Sequence, residues 1–293
     1  MVATKKRSGD IPFNVVNFGA LALFAIFCLI PFLSVIGTSL TSQAEWTRKG
    51  AFVLWPEAPV LDAYQTLLAT RGLVFRGMAV SVLRITVGTC CNMAVTILLA
   101  YALSKRFLGR TAVTLAVFFT MVFSGGLIPL YMLVEKVGLI NSFWALVLPN
   151  LVNAWWMLIM RNFFMELPKD FEEAAIMDGA SIGYIIVRIV LPLSTAAIAT
   201  IGLFYAVYHW NEWFQAFIFI SDPRKLPLQN RLRSILIRGL LDEAEAMIDL
   251  RTMPPAQSLK TAMIVITTVP ILCVYPFIQK YFVQGVRLGG IKG

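Results

Sequence analysis

Apolar residues in this chain gather into long runs instead of alternating with polar ones. About 20 apolar residues cross a ~30 Å hydrocarbon core, and six runs meet that length: residues 13–37, 78–103, 111–134, 141–164, 194–220 and 261–283. The pattern predicts an all-α, polytopic membrane protein, a single transmembrane domain over 1–293 with six helices. The first run follows Lys5-Lys6-Arg7 and has the outline of a signal peptide. Its 25 residues exceed the roughly 7–15 of a signal core, and no small-residue cleavage site follows, so it reads as an uncleaved span. Two connections on one side, 38–77 and 221–260, are too long for turns, and within the second, residues 240–247 read as a short helix. The third long connection, 165–192, lies on the opposite side. Pro31, Pro129, Pro149, Pro270 and Pro276, with Gly125-Gly126, are expected to break or kink spans where neighbouring helices cover the freed backbone.

Composition agrees with this reading: 58% of residues are hydrophobic and 14% charged, against about 25% charged in a soluble domain. The net charge of +9 reflects loop topology more than a nucleic-acid partner, because no Lys/Arg run exceeds three residues. With both termini in the cytoplasm, Lys and Arg number twelve on each side. The inner twelve crowd closer to the span ends, which tilts the orientation towards termini inside. Several chemistries drop out. One histidine, His209, excludes a multi-histidine metal centre. None of the 19 glycines precedes a lysine, so a Walker phosphate loop is absent. No cofactor, metal or catalytic residue is expected in this chain. Cys28, Cys90, Cys91 and Cys273 all lie in apolar runs, where they serve as small hydrophobes.

The inner connection carries the most specific pattern. Pro168-Lys169-Asp170 starts a helix through Met177-Asp178, Gly179 ends it, and Ser181 caps a second helix that stops near Pro192. Small Ala174, Ala175, Gly179 and Ala180 would let another protein approach closely, so the loop reads as a docking element. An ordinary amphipathic helix pair at the membrane surface is the bland alternative. Glu173-Ala174-Ala175, then Gly179 after three residues, then nine residues and Ile189-Val190-Leu191-Pro192, resembles the coupling-loop signature of ABC importer permeases at every position. Asp178 before the glycine fits as well. The resemblance extends to His209-Trp210-Asn211-Glu212-Trp213-Phe214, to residues 221–229 and to the ending 279–293. These are similar to the carbohydrate class, and within it to the maltose-type second permease subunit, in the subgroup associated with importers of oligosaccharides and uronate-containing polysaccharide fragments.

That resemblance implies the type I ABC importer permease fold, in the bacterial cytoplasmic (inner) membrane, with six spans and both termini cytoplasmic. It implies a non-catalytic subunit forming half of a heterodimeric pore with a homologous second permease. Two copies of a cytoplasmic ATPase would bind the ATP and Mg²⁺, and a periplasmic solute-binding protein would deliver substrate. Glu173, Ala174, Ala175, Asp178 and Gly179 would fit a cleft on one ATPase, with Ile189, Leu191 and Pro192 completing the loop. Residues 222–258 resemble a loop that reaches the binding protein, and 286–293 a tail that enters between the ATPases. The implied cargo is an oligosaccharide, with alginate-like uronate fragments among the candidates.

Ionisable residues at membrane depth are read as functional. Glu212 and Arg84 lie at similar depth below the outer surface, roughly 12 and 9 Å by helical rise. Two roles stand open for them: a buried ion pair, or part of the translocation pathway. Asn211, Trp210 and Asn153 are the other pathway candidates, since amides and indoles suit sugar hydroxyls and CH faces. An interfacial aromatic belt would explain Trp155 and Trp156 as well. A secondary carrier driven by ions or protons is the alternative function, though only Glu212 is an acid deep in a span.

Overall fold

The computed structural model describes residues 10–50, 53–69, 72–235 and 256–289, with side chains throughout except at 10–12, 69, 73 and 274–289. The helix expected over 240–247 and the last four residues of the tail lie outside them. Among the described residues the regular elements are all helical. The chain divides into two units, one of residues 1–71 and 232–269, the other of 72–231 and 270–293.

In the first unit, helix α1 (Asp10–Ser39) has 30 residues, about 45 Å at 1.5 Å per residue. From Phe13 to Leu33 it is exposed, as an apolar rod in lipid would be. Its end is held by polar contacts: the Ser39 hydroxyl donates to the Ile36 carbonyl (2.7 Å) and meets the Tyr64 hydroxyl at 2.7 Å. Helix α2 (Gln43–Lys49) starts at Ser42, whose Oγ accepts from the Glu45 N–H, and α3 covers Asp62–Ala69. Buried Glu45 accepts from Lys49 Nζ (2.8 Å) and from the Glu57 N–H (2.8 Å). The Lys49 ammonium, then the Glu57 N–H, hold the Glu45 carboxyl below the usual range.

The second unit is built on α4 (Leu73–Ser104), a straight 32-residue helix. Helices α5 (Arg110–Val122) and α6 (Leu127–Lys136) meet at 115° across 123–126, where Gly125-Gly126 lies. The 3₁₀ turns Phe143–Leu146 and Leu148–Asn150 meet α7 (Ala154–Glu166) at 55°, with Pro149 in the second turn. Helix α8 covers Asp170–Met177. Helix α9 (Ile182–Leu193) turns through 87° into α10 (Thr195–Asn211), and α11 (Phe214–Phe219) follows. Residues 186–190 of α9 are π-helical; Pro192 has no N–H to close an ordinary turn onto Arg188. The last helix, α12 (Ala256–Gly289), completes the described chain.

Among the described residues, three helices are long and apolar enough to cross a membrane: Phe13–Ser39, Val74–Ser104 and Ala256–Cys273. Each of the three bent pairs passes the same test jointly, which allows up to six spans. The structure thus departs from straight spans at three places. The clearest is the fifth run: residues 182–193, expected as connection, are joined by an elbow at Ser194 to α10, and the helix stops again at Glu212, which is extended (ψ 110°). Proline explains part of this, but Pro31 sits inside a continuous helix.

The core of this unit lies where α4, α7, α9 and α10 meet, around Leu103, Met157, Met160, Phe164, Ile185, Val190, Ile201 and Tyr205. Farther along, α4 and α10 approach closely because α4 carries Gly88. A Cβ there would lie 2.4 Å from His209 Nε2. Gly88→Ala is therefore expected to lower the thermal midpoint of the detergent-solubilised protein, by the ~1–3 kcal/mol of an overpacked site. Gly19→Ala, where nothing lies within 4 Å, should leave it unchanged or slightly higher. Scanning fluorimetry of both variants checks this.

Candidate functional site

Two features of the second unit bear on function: an exposed helical loop and a buried ladder of polar groups. Helix α8 carries Asp170, Glu172 and Glu173 in its first turn, where carboxylates favour the helix dipole, and it has no buried residue. Its end is closed by backbone geometry. The Ala180 N–H donates to the Ala175 carbonyl (2.9 Å) and the Gly179 N–H to the Ile176 carbonyl (3.0 Å), a Schellman pair that needs Gly179 at φ +81°. Ser181 Oγ then accepts from the Tyr184 N–H and starts α9. The loop is mounted on the core by buried Ile185 and Val190, with Ala175 and Ala180 packed beside them. Lys105 at the end of α4 pairs with Glu172. The outward side is apolar: Ile176, Met177, Ile182 and Tyr184 are more than half exposed. Of the expected coupling residues, Glu173, Ala174, Asp178, Gly179 and Pro192 are exposed, while Ile189 and Leu191 are half-buried.

The ladder has three rungs between α4 and α10, and each also reaches the broken segment before α7. At the first, Arg84 is fully buried. Its Nη1 donates to the Glu212 carbonyl (2.6 Å), and Nη2 to Glu212 Oε2 (2.8 Å), Gln215 Oε1 (3.1 Å) and the Leu146 carbonyl (3.2 Å). Glu212 Oε1 accepts from the Gln215 N–H (2.9 Å) and so caps α11. At the second rung, His209 Nε2 meets Asn92 Oδ1 at 2.7 Å, and Asn92 Nδ2 donates to the carbonyls of Asn150 (2.7 Å) and Leu151 (2.8 Å). At the third, the hydroxyls of Thr96 and Tyr205 are 2.7 Å apart, and Tyr205 accepts from the Asn153 N–H (3.0 Å). The break at 147–153 strands backbone groups inside an apolar segment, and the rungs satisfy three of them together with the Leu146 carbonyl just before it.

Arg84 and Glu212, whose pairing the sequence left open, are brought together. Trp210 is buried nearby, with no partner for its indole N–H among the described residues. Asn211 is exposed and donates to the Val207 carbonyl (2.9 Å). Asn153 caps α7, its Oδ1 accepting from the Trp156 N–H (3.1 Å). Asn92, Thr96, Tyr205 and Gln215 were not singled out in the sequence. The signal was there: Arg84, Gly88, Asn92 and Thr96 recur every four residues, one face of α4. Outside the spans, Asn141 adopts φ +59°. Its Oδ1 accepts from the Asp222 N–H (3.0 Å) and its carbonyl from Lys225 Nζ (2.7 Å). Arg224, by its side chain first and then its N–H, keeps the Asp222 carboxyl low.

A family described as binding-protein-dependent transport system inner membrane component matches residues 92–288. The polygalacturonan/rhamnogalacturonan transport system permease protein YtcP of Bacillus subtilis is 42% identical over 284 residues, covering 96% of this chain and 98% of that protein. The trehalose/maltose transport system permease protein MalG of Thermococcus litoralis is 30% identical over 277 residues, 92% and 94% of the two chains. Among solved structures, a chain of a bacterial ABC transporter involved in import of the acidic polysaccharide alginate superposes with TM-score 0.86 at 31% identity, covering 96% of this chain and 100% of that one.

Arg84→Met and Glu212→Gln should each destabilise strongly, at the ~3–5 kcal/mol typical of a broken buried pair. The first strands several buried acceptors and a carboxylate; the second leaves a fully buried guanidinium without its counter-charge. Thermal unfolding of the solubilised variants is the check, and the absence of a loss in either would contradict the ladder.

Proposed function

We propose a function from one premise: this chain belongs to the family of binding-protein-dependent transport system inner membrane components. It is a membrane permease subunit of an ABC importer of the sugar and polysaccharide type. In our reading it spans the inner membrane six times with both termini in the cytoplasm. It forms half of a pore with a homologous second permease, and a periplasmic solute-binding protein presents substrate at the 38–77 and 221–260 side. Two copies of a cytoplasmic ATPase bind the ATP and Mg²⁺; this chain carries no catalysis of its own.

The observation that carries the coupling role is α8: an exposed helix, closed sharply at Gly179, mounted on buried Ile185 and Val190. Glu173, Ala174, Ala175, Asp178 and Gly179 enter a cleft on one ATPase, and Ile189, Leu191 and Pro192 carry the displacement into the elbow at Ser194 and α10. ATP-driven closure of the ATPases then acts on a packed unit as a rigid-body switch between inward-open and outward-open states. Asn211, Asn153 and Trp210 are proposed to border the pathway, with Arg84 and Glu212 holding its outer part in shape. Glu212 is the acid a proton-coupled carrier would need, and it is engaged by Arg84 and Gln215.

For cargo we propose an oligosaccharide bearing carboxylates. A relative described by polygalacturonan and rhamnogalacturonan, and a structural neighbour involved in import of an acidic polysaccharide, support that class. The test is ATP hydrolysis by the reconstituted complex with binding protein loaded with an oligouronate or a neutral oligosaccharide. Substrate-loaded binding protein should stimulate hydrolysis, the oligouronate more strongly. Glu173→Arg and Gly179→Val should cut that stimulation at least about fivefold, the low end of an allosteric coupling free energy. Unchanged stimulation in both variants would remove the docking role from the loop.

A further inference from the structure

Between α5 and α7 runs a groove of about 370 Å³, lined by Thr114, Leu115, Phe118, Leu158, Arg161 and Asn162. Its walls are built from stripes one turn apart. On α5, Thr114 and Phe118 line it at four-residue spacing with Leu115 alongside; on α7, Leu158, Arg161 and Asn162 face them, and Arg110, one turn before Thr114, meets Met165. None of the residues of α5 is buried, and Leu115 and Phe118 are at least half exposed. The groove is therefore apolar along its length and cationic at one end.

That cationic end holds two guanidinium groups. Arg161 Nε donates to the Leu103 carbonyl (3.0 Å), and Arg110 Nη2 rests against Met165 Sδ (3.1 Å). The Arg110 charge lies within electrostatic range of Arg161. Arg110 also opens α5, where the helix dipole is positive. Gly109 there supplies no side-chain cap, and the first turn contains no acid. Two like charges at the wrong end of a dipole are unfavourable without an anion. The anion that fits must also fill an apolar groove extending about 12 Å from Arg110 to Phe118, at 1.5 Å per residue.

We infer that this groove binds one anionic glycerophospholipid. Its phosphate sits between Arg110 and Arg161, and an acyl chain lies along Leu115, Phe118 and Leu158. A soluble anion would make no use of the apolar wall. A zwitterionic lipid would bring a third cation to a place that already holds two. Basic pockets between membrane helices are a recurrent form of headgroup recognition. The inference rests on the reading of the chain as a membrane permease with the 105–110 turn at the inner face.

The test is native mass spectrometry of the intact, detergent-purified complex with added phosphatidylglycerol or phosphatidylcholine of the same acyl chains. Phosphatidylglycerol should be retained preferentially at low salt. Arg110→Gln, which removes only a contact to Met165, should weaken that preference about fivefold, the effect of one basic residue near an anionic headgroup. Phe118→Ser should weaken retention of both lipids. Because Arg161 also supports the Leu103 carbonyl, Arg161→Lys is the conservative partner variant and should keep the preference. Equal retention of the two lipids overturns the site. So does a preference that survives Arg110→Gln and Arg161→Gln together, or the absence of bound lipid because the second permease covers the groove. Lipid retention is read without transport or hydrolysis, so a complex that does not import but still discriminates the lipids would count against the importer reading alone.

Discussion

The structure of the larger unit depends on one constraint: backbone groups released by a broken helix inside an apolar segment must find partners within the protein. Residues 147–153 interrupt the fourth apolar run, and water cannot satisfy their carbonyls and N–H groups at membrane depth. Arg84, Asn92 and Tyr205 take over that role, receiving or supplying bonds at Leu146, Asn150, Leu151 and Asn153. A fully buried arginine is tolerable because its charge meets Glu212 and its two Nη groups also meet neutral oxygens, although Nε has no partner among the described residues. Each polar group thus has two duties, one towards α10 and one towards the break, and α4, α10 and the entry to α7 are positioned together.

This arrangement links the two ends of the unit. The ladder ends at Thr96 and Tyr205, and Tyr205 belongs to the same apolar core as Ile185 and Val190, beneath α8. Force applied at α8 would meet close-packed side chains and then directional hydrogen bonds. Such a body moves as a piece. The interruptions at 123–126, at Ser194 and at Glu212 are where its helices change direction.

Much of this was legible from residue order. Six runs long enough to cross a bilayer are a matter of length and hydropathy; three fall in continuous helices and three in helices broken by bends. The helical loop around α8 was legible because its signals are local: acidic residues at a helix start, Gly179 at its end and Ser181 at the next start. Straightness was not legible. Pro31 leaves α1 continuous, whereas the elbow at Ser194 and the stop at Glu212 depend on what packs around them. Arg84 and Glu212 stood out as charges in apolar runs, yet depth alone left pairing and pathway roles equally open.

The sequence by itself determined that this chain is helical and apolar enough for a membrane. It also determined that a polar helical loop interrupts the apolar runs with a signature specific enough to point to a permease family. Those properties follow from composition and short-range spacing, which fold into local structure with little help. Only the tertiary structure decided that Arg84 meets Glu212 across 128 positions, that Asn92 and Tyr205 repair a break in another span, and that Gly88 exists to admit His209. Hydrogen bonds in an apolar interior are satisfied by whichever donor the packing brings within about 3 Å, and that choice is made by three helices at once.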